Sequence, residues 1–333
     1  MRRYVTRRIL YMIPTIFAIS VVAFLVIQLP PGNFLTVYIA QLSAQGQGVD
    51  GAQIQALEER YGLNDPIVVQ YWKWISGIVT SGDFGQSFQY RREVADLIWD
   101  RIGLTLILAI STLFLTWALA FPIGIYSAVR QYSIGDYVIT FIGFLGLATP
   151  NFMLALLFAW VSFRYFGQSV GGVFSPEYAD AAWNIGKLFD AVSNLWIPVL
   201  IIGTAGTAAL VRVLRANLLD ELRKPYVTTA RAKGLPEWRI ILKYPLRMSL
   251  SPFISTIGWI LPTLIGGAVL VSIVLSLETT GPLLVDALQS QDMYLAGSFI
   301  LVLGVLTVIG TLISDLILAW WDPRIRHQHV ERA

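Results

Sequence analysis

Apolar positions gather along the chain into six long stretches: Ile9–Leu29, Gly103–Val129, Val138–Phe166, Leu195–Leu214, Phe253–Leu277 and Leu295–Trp321. A helix needs about 20 mostly apolar residues to cross a bilayer core, and each stretch supplies them. The pattern predicts an all-α polytopic membrane protein with six transmembrane helices. The third stretch is long and contains Pro150, so it is expected to tilt, kink or overrun one interface. The first follows Arg2, Arg3, Arg7 and Arg8, as a signal peptide would. Its apolar run exceeds that of a signal peptide, and no small-residue cleavage site follows. It reads as a retained span.

Two of the polar intervals are too long to be simple connections. In Pro30–Ile102, the segment Gln41–Gly51 is rich in Gln, Gly, Ser and Ala and reads as flexible. Asp65 then reads as an N-cap with Pro66 at the first helical position. Ile67, Val68, Tyr71, Trp72, Trp74, Ile75 and Ile78 follow at helical spacing, which predicts an amphipathic helix. It serves either as an interfacial helix or cap for an outside partner, or as a helix on the loop's own small core. Ser81–Gly85 reads as a turn and Arg91–Arg101 as another short helix. In Arg215–Pro252, Lys224-Pro225-Tyr226 opens a helix that stops at Gly234. Pro236 restarts a second one through Trp238, Ile240, Ile241 and Leu242. The pair reads either as a basic hairpin on anionic lipid or as a rigid knob offered to a protein.

Composition narrows the class. Of the 333 residues, 56% are hydrophobic and 14% charged, against about 25% charged in soluble domains. An ordinary cytosolic enzyme, a disordered chain and a collagen-like fibre are excluded. There is no cysteine, so disulfides and thiolate chemistry are excluded. The two histidines, His327 and His329, lie at the end of the chain, which leaves none for catalysis or metal ligation in its body. The net charge of +3 is small, but its distribution is informative. Pro30–Ile102 has five basic and eight acidic residues, Gly167–Asn194 has Lys187 against three acids, and Glu278–Tyr294 has three acids and no base. The N-terminus carries four arginines, and Arg215–Pro252 has eight basic residues against three acidic. Basic loops stay on the cytoplasmic side, so both termini are expected inside. Tyr165, Phe166, Trp320 and Trp321 stand where an interfacial aromatic belt would be. The chain then divides into the N-terminus with the first span (1–29), a large external loop (30–102) and a five-helix core (103–333) bearing the internal loop 215–252.

The internal loop carries a resemblance. Tyr226–Arg239 (YVTTARAKGLPEWR) resembles the cytoplasmic "EAA" loop of ABC importer permeases, in particular the B-subunit of the dipeptide/oligopeptide type. Tyr61–Trp72 (YGLNDPIVVQYW), Ser81–Ser87 (SGDFGQS), Leu261–Gly267 (LPTLIGG) and Trp321–Arg326 (WDPRIR) resemble the same family in the same order, covering nearly the whole chain. The resemblance implies a type I importer permease fold in a bacterial or archaeal inner membrane. It implies a second homologous permease as heterodimer partner and two cytoplasmic ATPase subunits that bind ATP and Mg. A periplasmic or lipid-anchored binding protein would deliver the cargo. No cofactor is implied in this chain and no nucleic-acid partner; membrane lipid surrounds it.

The helix pair would be the coupling helices that enter clefts on the ATPases. Ala230 and Gly234 match the motif's second Ala and its Gly, while Ala232, Lys233 and Leu235 flank the turn. Thr228 and Thr229 stand where the motif has Glu and its first Ala, and Arg231 and Pro236 complete the candidate coupling residues. Ser272 and Glu278-Thr279 depart from the acidic residue and Pro-Gly turn common at the outer end of the fifth span. Pro30–Asn33 and the Gln-rich stretch resemble members linked to oligosaccharides, so the implied cargo is peptides or oligosaccharides.

Other features fit transport without chemistry. No Gly-x-x-x-x-Gly-Lys-Ser/Thr phosphate loop occurs, so any ATP is bound by another chain. Pro150-Asn151 and Pro262-Thr263 interrupt spans, and such breaks are tolerated where they line a cavity; they are candidates for the translocation pathway, or else packing kinks. Gly203, Ala205, Gly206, Thr207 and Ala209, with Gly266 and Gly267, suit close helix packing. Asp315 reads as an inner-interface acid rather than a proton relay, and Arg164 and Arg212 can snorkel. Asp96 and Asp100 share a helix face and read as solvated. The competing class is a stand-alone ion-coupled secondary transporter, whose expected marks are central charged pairs and internal repeats.

Overall fold

The computed structural model describes residues 2–28, 65–87, 89–167, 172–175, 177–178, 181, 184–258 and 269–321. In chain order these form α1 (Arg2–Gln28), α2 (Ile67–Ser81), β1 (Gln86–Ser87), β2 (Arg92–Glu93), α3 (Val94–Val129), α4 (Ile134–Ala148) and α5 (Asn151–Val161). A π-helical turn (Ser162–Phe166) extends α5. There follow α6 (Ile185–Leu222), α7 (Pro225–Ala232), α8 (Glu237–Lys243), α9 (Pro245–Ser249), α10 (251–258), α11 (Val269–Val274), α12 (Thr280–Gln289) and α13 (Met293–Trp321). Among the described residues, α1 from Tyr4 onward, α3, α6 and α13 are each long and apolar enough to cross a membrane.

The third stretch kinks at its proline as expected, but more sharply than a bent single span. It is two helices, α4 and α5, bent by 102° relative to one another. Thr149 (φ −89°, ψ 122°) and Pro150 (φ −58°, ψ 136°) are both extended. The cause is local: proline's ring excludes the helical conformation from the residue before it. Of the separate helix expected over Arg91–Arg101, Arg92–Glu93 is β2 and Val94–Arg101 is the start of α3. At 36 residues, α3 is about 54 Å long and overruns the bilayer core. The interval Glu278–Tyr294, read only as a loop, contains α12. Most of the fifth span's centre, with Pro262, Thr263, Gly266 and Gly267, lies outside the described residues.

The chain divides into two compact units. One comprises Arg7–Thr105 and Thr279–Val308. In it α2 packs on α1: the Tyr71 ring lies 5.4 Å and the Trp74 ring 5.7 Å from that of Phe24, and the Tyr71 and Ser20 hydroxyls are 2.7 Å apart. Tyr71 and Trp74 of the amphipathic helix thus meet the first span. Asp65 does not cap α2; its carboxylate pairs with Lys73 at 2.7 Å. α1 also meets α13 where glycine removes the side chain. A Cβ at Gly297 would lie 2.3 Å from Ile27, and one at Gly304 2.5 Å from Ile19. The hairpin pairs Gln86 with Glu93 and Ser87 with Arg92. Buried Asp292 holds it in place, accepting from Ser87 Oγ at 2.5 Å and the Gln89 amide at 3.2 Å. Asp100 is exposed and paired with Arg92 at 3.1 Å.

The other unit comprises Met1–Thr6, Leu106–Glu278 and Ile309–Ala333. Its core joins Ala120 of α3 to Leu210, Val211 and Leu214 of α6, Leu246 of α9 and Phe253 of α10. Phe121 stacks on Phe253 at 4.4 Å. The small residues of α6 meet this same chain: a Cβ at Gly203 would sit 3.2 Å from Thr116 of α3, and one at Gly146 of α4 2.9 Å from Thr204. Trp320 is exposed as a belt residue would be, whereas Trp321 is held, its indole N–H donating to the Arg247 carbonyl at 3.0 Å.

Candidate functional site

The polar segment between α6 and α10 folds into a knuckle of two short helices. α6 runs without a break for 38 residues and delivers the chain to Lys224, which is extended (ψ 147°). Pro225 then occupies the first helical turn, where its missing N–H costs nothing. α7 ends at Ala232 with Lys233 as its C-cap, and Gly234 takes a left-handed conformation (φ 72°). The Gly234 amide donates to the Arg231 carbonyl at 2.9 Å and the Leu235 amide to the Ala230 carbonyl at 3.4 Å. This is the Schellman arrangement, in which glycine avoids the Cβ penalty of the left-handed region. Pro236 then starts α8, its carbonyl receiving the amides of Arg239 and Ile240 at 2.9 and 3.1 Å.

The knuckle has its own small core. Val227 and Ile240 are fully buried and Ala230 nearly so, with Leu235 and Tyr244 packed around them. Ala230 sits where α7 meets α8, so a larger side chain there must push the helices apart. Arg231 and Glu237 pair across the corner at 2.5 Å. This hydrogen bonding holds the Glu237 carboxyl below its ordinary value and pushes the Arg231 guanidinium up. The Tyr226 hydroxyl donates to the Glu221 carboxylate of α6. These contacts fix the knuckle's shape and tie it to α6.

The expected coupling residues come together on this one feature. Thr228, Thr229, Arg231, Ala232, Lys233, Gly234 and Pro236 are exposed, Leu235 is half-buried and Ala230 is buried. Beside them stand two large apolar side chains in water, Trp238 at 61% and Leu242 at 53% exposure, with the Arg239 guanidinium 5.3 Å from the Trp238 ring. Exposed apolar groups on a rigid basic corner mark a surface that a partner protein or a membrane covers. Of the expected pathway residues, Pro150 is exposed and Asn151 is half-buried at the start of α5. Pro262 and Thr263 lie outside the described residues.

Sequence reasoning missed a second charged feature nearby. Asp136, at the start of α4, is 2% exposed. It receives both prongs of the Arg215 guanidinium of α6, at 3.1 and 2.8 Å, together with Ser127 Oγ and the Tyr132 amide at 2.9 Å. The partners are 79 residues apart, and only their opposite charges hinted at a contact.

The chain matches two family models. "Binding-protein-dependent transport system inner membrane component" covers residues 120–327, and the N-terminal model of such membrane components covers residues 1–109. The oligopeptide transport system permease protein AppB of Bacillus subtilis is 37% identical over 329 residues, 98% of this chain and all of AppB. The glutathione transport system permease protein GsiC of Escherichia coli (strain K12) is 32% identical over 330 residues, again 98% of this chain and all of GsiC. The dipeptide transport system permease protein DppB of Alkalihalophilus pseudofirmus is 30% identical over 342 residues. Among solved structures, a chain of the MetNI methionine ABC transporter, in inward-facing form, superposes with a TM-score of 0.52. It does so at 15% identity, over 68% of this chain and 96% of that one.

Proposed function

Because the chain belongs to the family of binding-protein-dependent transport system inner membrane components, we propose that it couples ATP hydrolysis on partner subunits to import through its α7–α8 knuckle. The chain is a permease subunit of an ABC importer in the bacterial inner membrane, and hydrolysis belongs to separate ATPase subunits. In the proposed mechanism, a binding protein delivers cargo from outside and the ATPases close on ATP and Mg. Thr228–Pro236 then carry that closure into α6, tilting the spans toward the other side. The pathway forms between this chain and a second homologous permease, with Pro150 and Asn151, and Pro262 and Thr263, lining it. Six spans with both termini inside complete the arrangement.

Peptides are the proposed cargo, since AppB and DppB are named for oligopeptide and dipeptide transport. At the departures from the family pattern, Ser272 and Thr279 are buried, at 2% and 4% exposure, and Glu278 is exposed.

The observation that carries the coupling reading is a buried knuckle core beneath an exposed Trp238–Leu242 face. The test is transport per ATP in proteoliposomes holding the permeases, ATPases and binding protein. Gly234→Pro or Ala230→Glu should cut that ratio roughly 5- to 150-fold, the usual span of an energetic coupling between sites, while ATP hydrolysis continues. An unchanged ratio would sink the coupling role. Uptake by the chain alone, driven by a proton gradient, would favour the ion-coupled alternative.

A further inference from the structure

We propose that the Asp136–Arg215 pair yokes α4 to α6, so that motion received at the α7–α8 knuckle reaches the Pro150–Asn151 break. The proposal rests on the coupling reading above and extends it to residues outside the knuckle. Arg215 lies in the part of α6 that leads directly into α7. Each Asp136 oxygen takes two hydrogen bonds: Oδ1 from Ser127 Oγ and Arg215 Nε, Oδ2 from the Tyr132 amide and Arg215 Nη2. A bidentate, charge-assisted contact of this kind fixes orientation as well as distance.

The corner between α3 and α4 is tight around the pair. Ser133 Oγ caps α4 by accepting the Asp136 amide at 3.2 Å. A Cβ at Gly135 would strike the Tyr126 ring of α3 at 2.8 Å. Tyr132 holds a left-handed conformation (φ 63°), with its amide bound to Asp136. Farther along, α4 stays on α6. A Cβ at Gly143 would touch Ala208 at 3.8 Å, and one at Gly146 would press on Thr204 at 2.9 Å. α4 is therefore fastened to α6 at both ends, and its far end is the Thr149–Pro150 break. A cavity of about 400 Å³ opens between α3, α4 and α6 beside the pair, and Ile139 of α4 packs on the α3–α6 core there, so the ionic tie acts together with apolar contact. When α6 moves as a lever, α4 moves with it and the change in direction falls at Pro150.

The test uses the full reconstituted complex. Asp136→Asn, Arg215→Gln and the double variant are compared with the unmodified protein for transport per ATP and for thermal unfolding. Each single variant should lose about 5- to 150-fold in transport per ATP, with ATP hydrolysis retained. The double variant should lose no more than either single one, because the residues act as a unit. It also leaves no unpaired buried charge, so it serves as the folded test if a single variant is unstable. Arg215→Lys should fall between, since lysine keeps the charge without the fork. A purely structural pair would lower the unfolding temperature and yield yet leave transport per ATP normal in the folded fraction, and that result overturns the yoke. Gly234→Pro is assayed beside these variants. If it uncouples and they do not, the yoke falls and the knuckle stands. If it too couples normally, the underlying coupling reading falls.

Discussion

At the residue scale, Gly234 separates backbone strain from steric clash. Nothing lies within 4 Å of a Cβ built there, so Gly234→Ala costs only the left-handed conformation, about 1–2 kcal/mol. Its unfolding temperature in detergent should fall modestly, and Gly234→Pro should fall further, because proline also removes the amide bound to Arg231 and cannot adopt a positive φ. Equal shifts for the two would contradict the Schellman geometry. The Arg231–Glu237 pair predicts a pH dependence. The folded Glu237 carboxyl titrates below its ordinary value of 4.5. Its contribution is therefore complete above that value and fades as pH falls through the lowered folded one. Both side chains are about half exposed, so solvent screens the pair and it contributes at most about 1 kcal/mol. Glu237→Gln should lower the unfolding temperature slightly at neutral pH and in low salt, and the difference should close on acidification. A gap that widened in acid would refute the pairing. These residues were legible because their physics is local: a proline opens each helix and a glycine ends the first within a dozen positions. Asp136 and Arg215 were not legible as a pair, since nothing in either loop encodes a contact across two spans.

At the scale of elements, hydropathy located apolar length but not direction. It marked Val138–Phe166 as one span, whereas the chain turns through 102° inside it. Pro150 was the visible cause, yet a proline alone does not state whether a helix kinks or stops. Two extended residues, Thr149 and Pro150, are what stop it. Hydropathy likewise missed how far α3 and α6 continue beyond the membrane, because their polar overhangs keep helical spacing without apolar content. α12 went unread for the same reason: its stretch is too short to register as a span. The small residues of α4 and α6 make a prediction about this packing. Gly146→Ala places a methyl 2.9 Å from Thr204, while Gly103→Ala meets nothing within 4 Å. The first should destabilise by about 1–3 kcal/mol through overpacking, and the second should be neutral or stabilising by up to about 1 kcal/mol from helix propensity. Thermal unfolding of the purified complex in one detergent compares them directly. Stability gains of similar size for both would show that α4 and α6 are not in close contact at Gly146.

At the scale of the whole molecule, the charge pattern assigns sides. Under the proposed orientation, the basic loop that forms the knuckle is expected on the cytoplasmic side and the acidic interval that holds α2 on the other. The same division explains why chemistry is so sparse: the chain has no cysteine, and its two histidines are terminal, as suits a subunit whose hydrolysis occurs on a partner. The lack of cysteine also makes the orientation testable without background labelling. Thr228 on α7 and Thr80 on α2 are both exposed. Among the described residues, Thr80 bonds within its own helix, its hydroxyl donating to the Ser76 carbonyl at 2.7 Å. A membrane-impermeant maleimide should label Thr80→Cys in intact spheroplasts and leave Thr228→Cys untouched until the membranes are inverted. Labelling of Thr228→Cys from outside would reverse the assignment and place the knuckle where no ATPase could reach it. The two variants therefore test the basic-loop rule and the proposed coupling mechanism together, since the proposed lever works only on the side where ATP is hydrolysed.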